Sequence, residues 1–187
     1  MRVLFVENRD SFSWNVIDRL PVARAAIDVV DGRDAATVRS RLTSSDLVVV
    51  GPGPMDPVRA GLVRLVLEAA ALRKPLLGIC LGHQALGLAF GARLRRETPC
   101  HGKREEIAFS ESRLFPGLSR RQTVMRYHSL VLDDVAGPLR VVARTEGGLV
   151  MCVEHVSLPM AGLQFHPDSF ATPRGEEMLA AFFRSVL

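Results

Sequence analysis

Four apolar runs of strand length follow one another through the first 79 residues: Val3-Leu4-Phe5-Val6, Ala26-Ile27-Asp28-Val29-Val30, Leu47-Val48-Val49-Val50 and Pro75-Leu76-Leu77-Gly78-Ile79. Segments of helical period separate them, at about 11–20, 35–42 and 57–72, and a further one follows at about 82–90. This alternation is the rhythm of a parallel sheet with crossover helices. The runs are continuously apolar rather than alternating, so the strands are expected to be buried on both faces.

After residue 92 the pattern changes to shorter strand-like pieces at 105–109, 123–127, 139–143, 149–155 and 160–165, separated by turn residues. Antiparallel additions to the sheet fit that text best. The closing stretch, 175–187, sets Met178, Leu179, Ala181, Phe182, Phe183 and Val186 at helical spacing, as an amphipathic helix packed on the sheet requires. The expected fold is therefore α/β: an open, mostly parallel sheet flanked by helices, with antiparallel strands in the second half. At 187 residues and 48% hydrophobic, with no internal repeat or linker, residues 1–187 are expected to form one domain with a core of its own.

Composition narrows the function. No apolar run approaches the roughly 20 residues that span a bilayer, and the opening lacks the apolar stretch of a signal peptide, so a cytoplasmic protein without a membrane partner is expected. The formal charge of +4 comes from scattered arginines, apart from short clusters such as Arg93, Arg95 and Arg96. A solvated surface is the better reading of these than a nucleic-acid patch. The cysteines, Cys80, Cys100 and Cys152, are an odd set with no close pair, which suggests neither a disulfide framework nor a zinc site and leaves room for one functional thiol.

That thiol is read at Cys80. Gly78-Ile79-Cys80-Leu81-Gly82 lies between a predicted buried strand and a predicted helix, and has the G-x-nucleophile-x-G form of a nucleophile elbow with Cys as the nucleophile. Crowding explains the glycines: a strained strand-to-helix turn lifts the nucleophile above the sheet, and the residues two away on either side must be small. The helix N-terminus brings partial positive charge to the sulfur and favours the thiolate. The plainer reading is a buried structural cysteine beside chance glycines.

A thiolate needs a base, and the chain offers five histidines. His166 ends the strand-like run Ala161-Gly162-Leu163-Gln164-Phe165, and Pro167 and Asp168 follow it, so a carboxylate stands two residues away. Strand ends are where an open α/β sheet collects catalytic groups, and a base oriented by a third polar group is the logic of a triad. Gly51-Pro52-Gly53-Pro54 directly follows another strand. Alone it is only a turn. Beside an elbow strand, Gly53 can bring a backbone N–H to a ligand, as half of an oxyanion hole whose other half is the N–H of Leu81.

Gly78-Ile79-Cys80-Leu81-Gly82-His83-Gln84 together with Phe165-His166-Pro167-Asp168-Ser169 resembles the class I glutamine amidotransferases, whose triad is Cys, His and Glu in that order. Glu7-Asn8-Arg9-Asp10-Ser11-Phe12, with Asn15, resembles the opening of the glutaminase subunits of anthranilate synthase and aminodeoxychorismate synthase. His101-Gly102-Lys103 and Arg126-Tyr127-His128-Ser129-Leu130 resemble two further segments of those subunits, so the likeness runs from residue 3 to the C-terminal helix. The resemblance implies a glutamyl thioester on Cys80, a proton shuttled by His166, and oxyanion donors at Gly53 and Leu81. It also implies that Gln84 and the backbone at Ser129 and Leu130 hold the amino and carboxylate ends of L-glutamine. His83 and His128 read as structural or partner-facing. No metal or organic cofactor is implied, and the ammonia goes to a separate chorismate-binding synthase.

Three positions depart from that family. Asp168 stands where the triad has Glu, one methylene shorter, and Glu7 and Arg9 replace an acidic and an aromatic residue of the opening. The rival readings are a glutaminase subunit for another acceptor, such as isochorismate amination or imidazole glycerol phosphate formation, a catalytically impaired regulatory subunit, and a stand-alone peptidase or γ-glutamyl hydrolase.

Overall fold

The computed structural model describes residues 1–186, with the side chains of Cys100 and His101 excepted. The first half alternates as its hydrophobic pattern requires: β1 (Val3–Glu7), α1 (Ser13–Arg19), β2 (Ile27–Asp31), α2 (Ala35–Ser44), β3 (Leu47–Val50), α3 (Leu62–Ala71), β4 (Leu76–Ile79) and α4 (Leu81–Ala89). The second half runs β5 (Arg93–Phe109), β6 (Arg121–Asp133), β7 (Leu139–Thr145), β8 (Val150–His155), β9 (Met160–Leu163) and α5 (Gly175–Val186). All nine strands join one sheet in the order β2-β1-β3-β4-β9-β8-β7-β5-β6. From β2 to β9 the neighbours are parallel, and from β9 to β6 they are antiparallel.

Burial on both faces explains the unbroken apolar strands. Successive side chains of a strand point to opposite faces, so Val3, Phe5, Leu47, Val49, Leu77 and Ile79 enter one core and Leu4, Val6, Val48, Val50 and Leu76 enter another. The first core is closed by α1 and by α5, which contributes Met178, Leu179, Phe182 and Phe183. The second is closed by α2, α3 and α4, with Leu62, Leu65, Val66 and Ala69 of α3 marking a helical stripe.

The structure differs from the sequence expectations at several boundaries. The helix expected from residue 57 starts at Leu62, because the preceding residues form a turn: Asp56 accepts hydrogen bonds from the N–H groups of Val58 and Arg59, and Gly61 takes a left-handed φ of 72°. β5 and β6 are 17 and 13 residues long, far longer than the pieces their apolar content suggested. Their charged residues hide the strands from a hydrophobicity pattern while pairing across the ribbon, Arg93 with Asp134 and Arg95 with Asp133. Arg93 and Arg95 of the arginine cluster are thus in exposed ion pairs. β9 is antiparallel to β8, as expected of the second half, yet parallel to β4, so it also completes the parallel layer. No helix among the described residues is long and apolar enough to cross a membrane.

Candidate active site

The site forms where the parallel strands end. Cys80 follows β4 and precedes α4, with φ 51° and ψ −96°, a backbone conformation that a non-glycine residue adopts only under constraint. Its N–H donates to Leu163 O of β9 at 2.8 Å, and its carbonyl accepts the first helical hydrogen bond, from Gln84 N at 3.1 Å. The flanking glycines are forced by the crowding expected of an elbow. A Cβ on Gly78 would lie 2.4 Å from the backbone of Gly82, and one on Gly82 would lie 2.3 Å from Val50 O. As the first helical residue, Leu81 has an N–H without an intrahelical partner, free to face a ligand.

The Gly51–Pro54 turn is held against the elbow by Asn8. Its side chain is buried at the end of β1 and donates to Gly51 O at 3.0 Å and Val6 O at 3.3 Å. A Cβ on Gly53 would meet Asn8 Cβ and Leu81 Cδ2, each at 2.7 Å, so only glycine lets this backbone come so close to the elbow. Glu7 and Arg9 both find local roles. Glu7 accepts from Asp10 N and Ser13 Oγ, bracing the entry to α1, and Arg9, at a left-handed φ of 61°, pairs with Asp31 on the surface.

A cavity of about 140 Å³ opens at Cys80, lined by Gly53, Pro54, Met55, Gln84, Tyr127, His128, Ser129 and Leu130. Nucleophile and substrate-holding candidates therefore meet in one place, with Leu81 just beneath. Gln84 is 4% exposed, and its amide nitrogen donates to Leu130 O at 3.2 Å and to Gln164 Oε1 at 3.4 Å. That leaves its own oxygen to accept from a ligand. A larger groove of about 330 Å³ lies on the far side of Tyr127 and Asp168, lined also by Phe12, Asn15, Asp18, Arg19, Ser169 and Phe170, and it does not reach the sulfur.

His166 is 2% exposed, with Nδ1 at 3.4 Å from Asp168 Oδ1. Its backbone is fixed from both sides: His166 N donates to Met125 O at 3.1 Å, and Thr172 Oγ1 donates to His166 O at 2.8 Å. Phe12 and Tyr127, stacked on each other, meet the imidazole edge-on at 5.5 and 5.3 Å. Burial disfavours the charged imidazole, but the Asp168 carboxylate and the Cys80 sulfur outweigh it and raise the His166 pKa to about 10. These neighbours favour the protonated imidazole.

Asp168 is 3% exposed, and among the described residues neither carboxylate oxygen has a hydrogen-bond partner closer than the 3.4 Å contact with His166. Glu154, also buried, is the contrast. It accepts from Ser112 Oγ, the N–H groups of Arg113 and Leu114, and Arg140, and these donors outweigh burial and hold its pKa below the usual carboxylate range. Glu154 is pinned by several donors, whereas the ion-pair partner of Asp168 among the described residues is His166.

Other candidates fall away from the chemistry. His83 is fully buried against Gly162 and, through burial, is pushed down to about 3, so it is a neutral core residue and cannot face a partner. His128 lines the cavity, accepts from Arg126 Nε at 3.2 Å, and is pushed down to about 4 by burial and then by that guanidinium. Cys152 is buried in β8 and its thiol is raised by burial. The side chains of Cys100 and His101 lie outside the described residues. Gln164, Phe12 and Tyr127 join the site without a role that the sequence pattern revealed. A polar Gln164 at the end of an apolar strand, two residues before His166 and so on the same side of an extended chain, was the available signal.

The fold thus brings together, where the parallel strands end, an elbow cysteine, a buried histidine beside a carboxylate, and a small polar cavity. The chain belongs to the family described as glutamine amidotransferase class-I, whose model matches residues 4–186, and it is an enzyme of that class. It is 38% identical to anthranilate synthase component 2 of Pseudomonas aeruginosa, over 97% of this chain and 94% of that protein. It is 34% identical to aminodeoxychorismate/anthranilate synthase component 2 of Bacillus subtilis, over 98% and 96%. Among solved structures, a glutamine amidotransferase from Thermotoga maritima matches with a TM-score of 0.76 at 18% identity, covering 100% of this chain and 96% of that one, which is a likeness of fold.

Proposed function

We propose that residues 1–187 form one glutaminase domain. It hydrolyses L-glutamine through a Cys80 thioester and passes the ammonia to a chorismate-using synthase partner in the cytoplasm. The sulfur of Cys80 attacks the side-chain amide carbon, and the carbonyl oxygen, now anionic, is held by the N–H groups of Gly53 and Leu81. Collapse expels ammonia, which leaves with the proton held by His166. Water then attacks the thioester as His166 takes its proton, and glutamate departs as the sulfur regains its electron pair. Asp168 keeps the imidazole oriented and compensates its charge. Gln84, through its free oxygen, and the backbone at Ser129 and Leu130 hold the amino and carboxylate ends of the substrate.

The observation that carries this reading is that Cys80, on a strained elbow, opens into the same cavity as Gln84, Ser129 and Leu130 with His166 electrostatically linked to its sulfur. The choice of acceptor rests on the kinship with synthase components from P. aeruginosa and B. subtilis. A glutamine-analogue chloroketone should label the protein once, at Cys80, and the glutaminase rate should rise when a chorismate-using synthase and chorismate are added. Label on Cys152 or Cys100 overturns the nucleophile. An unchanged rate on adding the synthase overturns the partner.

A further inference from the structure

Beside the cavity that opens at Cys80 lies a chain of buried amides that the triad chemistry does not use. Gln84 Nε2 donates to Leu130 O at 3.2 Å and to Gln164 Oε1 at 3.4 Å, and Gln164 Nε2 donates to Cys80 Sγ at 3.7 Å. Gln164 is fully buried and its backbone N–H is anchored on Met151 O at 2.9 Å, so the side chain leaves the end of β9 from a fixed point. The direction of every bond follows from one end. A backbone carbonyl can only accept, so Leu130 O sets the amide of Gln84 with its nitrogen inward. The nitrogen of Gln84 can only donate, so Gln164 must present its oxygen to it and its nitrogen to the sulfur. Flipping Gln84 would set its oxygen against the two acceptors Leu130 O and Gln164 Oε1, and flipping Gln164 would set donor against donor at Gln84, each a buried mismatch.

Resting on the glutaminase reading above, we propose that Gln164 is a further residue of the catalytic machinery. Its side-chain N–H holds the Cys80 sulfur in its anionic form and links that sulfur, through Gln84, to occupancy of the cavity. A hydrogen bond to an ionised acceptor is stronger than one to a neutral acceptor. Gln164 therefore favours the anionic sulfur, both before attack and when water displaces it from the thioester. The relay also gives the sulfur a sensor. An ammonium group donating to Gln84 Oε1 polarises the Gln84 amide, strengthens its N–H toward Gln164, and in turn strengthens the Gln164 N–H toward sulfur, as hydrogen-bond chains do in a low-dielectric interior. A substrate with an α-amino group would thus be favoured over a plain amide by more than its own contacts supply.

The test follows alkylation of Cys80 by iodoacetamide as a function of pH in wild type, Gln164→Met, Gln84→Met and the double variant, with thermal melts of each. Methionine keeps the volume and removes the donor. Gln164→Met is expected to lower the alkylation rate at pH 7 about tenfold and to move the half-maximal pH of the profile up by about one unit, because the thiolate is the species that reacts. Gln84→Met is expected to move it the same way by less, and the double variant no further than Gln164→Met, as members of one chain must. A lowered melting temperature with the wild-type pH profile retained overturns the proposal and makes Gln164 a packing residue. Additive shifts in the double variant overturn the relay. If Gln164→Met does not fold, Gln84→Met decides alone, and an unmoved profile there overturns the link. Wild-type protein alkylated elsewhere than Cys80 is a different failure, that of the glutaminase reading itself.

Discussion

Asp168 has a carboxylate sealed from water, with no hydrogen-bond donor of its own and a histidine 3.4 Å away. A buried charge in that setting is costly unless compensated, so the carboxylate and the His166 imidazolium depend on each other. Asp168→Asn keeps the shape and removes the charge, and is expected to cost about 10²–10⁴ in glutamine-dependent turnover, as losses of triad carboxylates do. The same complex supplied with free ammonia should be unaffected, which separates this step from damage to the synthase. Asp168→Glu keeps the charge and extends the carboxylate by one methylene. It should hold activity within about tenfold, or about 1.4 kcal/mol in the barrier. Unchanged glutamine-dependent turnover in Asp168→Asn would remove the residue from the triad.

The elbow between β4 and α4 is the element on which the site depends, and its tolerance is set by backbone contacts rather than by glycine flexibility. Gly82→Ala would drive a Cβ to 2.3 Å from Val50 O, so either β3 or α4 must shift. Overpacking of this kind costs about 1–3 kcal/mol or more, and the displacement would fall on Cys80 itself. Urea unfolding should show the loss, together with loss of chloroketone labelling. Gly147 is the control. It is exposed, has no positive φ, and a Cβ there meets only Thr145 Oγ1 at 3.8 Å, so Gly147→Ala should be neutral or stabilise by about 0.4–1 kcal/mol. Equal effects from the two substitutions would show that the elbow is not under the steric constraint described.

For the whole molecule, the raised pKa of His166 links stability to pH. Its value is about 10 in the folded protein against an ordinary 6.5, so the folded state binds the proton more tightly than the unfolded chain. That contribution to stability is complete below about pH 6.5 and is lost as pH rises toward about 10. Melting temperatures of the wild type should fall across that window, and the fall should be smaller in Asp168→Asn, where the histidine has lost its counter-charge. A decline of the same size in both would mean that other groups set the alkaline limit. His83 and His128, pushed down to about 3 and about 4, work in the opposite sense. The folded protein resists protonating them, so they withdraw stability as pH falls below about 6.5, and the neutral ring of His128 adds no positive charge to the cavity it lines.

Sequence alone determined the parallel half of the sheet and the elbow, and it marked Cys80 as the candidate nucleophile. Each is encoded locally: strands buried on both faces must be continuously apolar, and a turn whose backbone passes within 2.4 Å of a missing Cβ must be glycine. His166 was legible for a similar reason, since a strand end, a proline and a carboxylate stand within three residues of it. The β5–β6 ribbon was only half legible, because its exposed end, where charged residues of the two sides pair, has no hydrophobic signature, while buried residues such as Ile107 and Val124 gave the shorter pieces. Tertiary structure decided what depends on distance between remote segments. It brought Phe12 and Tyr127 onto the imidazole, buried His83 while leaving His128 in the cavity wall, and left Asp168 without donors while Glu154 received several. It also set Gln164 on the sulfur, across 84 residues of chain. A residue's type states what it can donate or accept, but desolvation and pairing belong to the neighbours that the fold brings to it, and those set charge and reactivity.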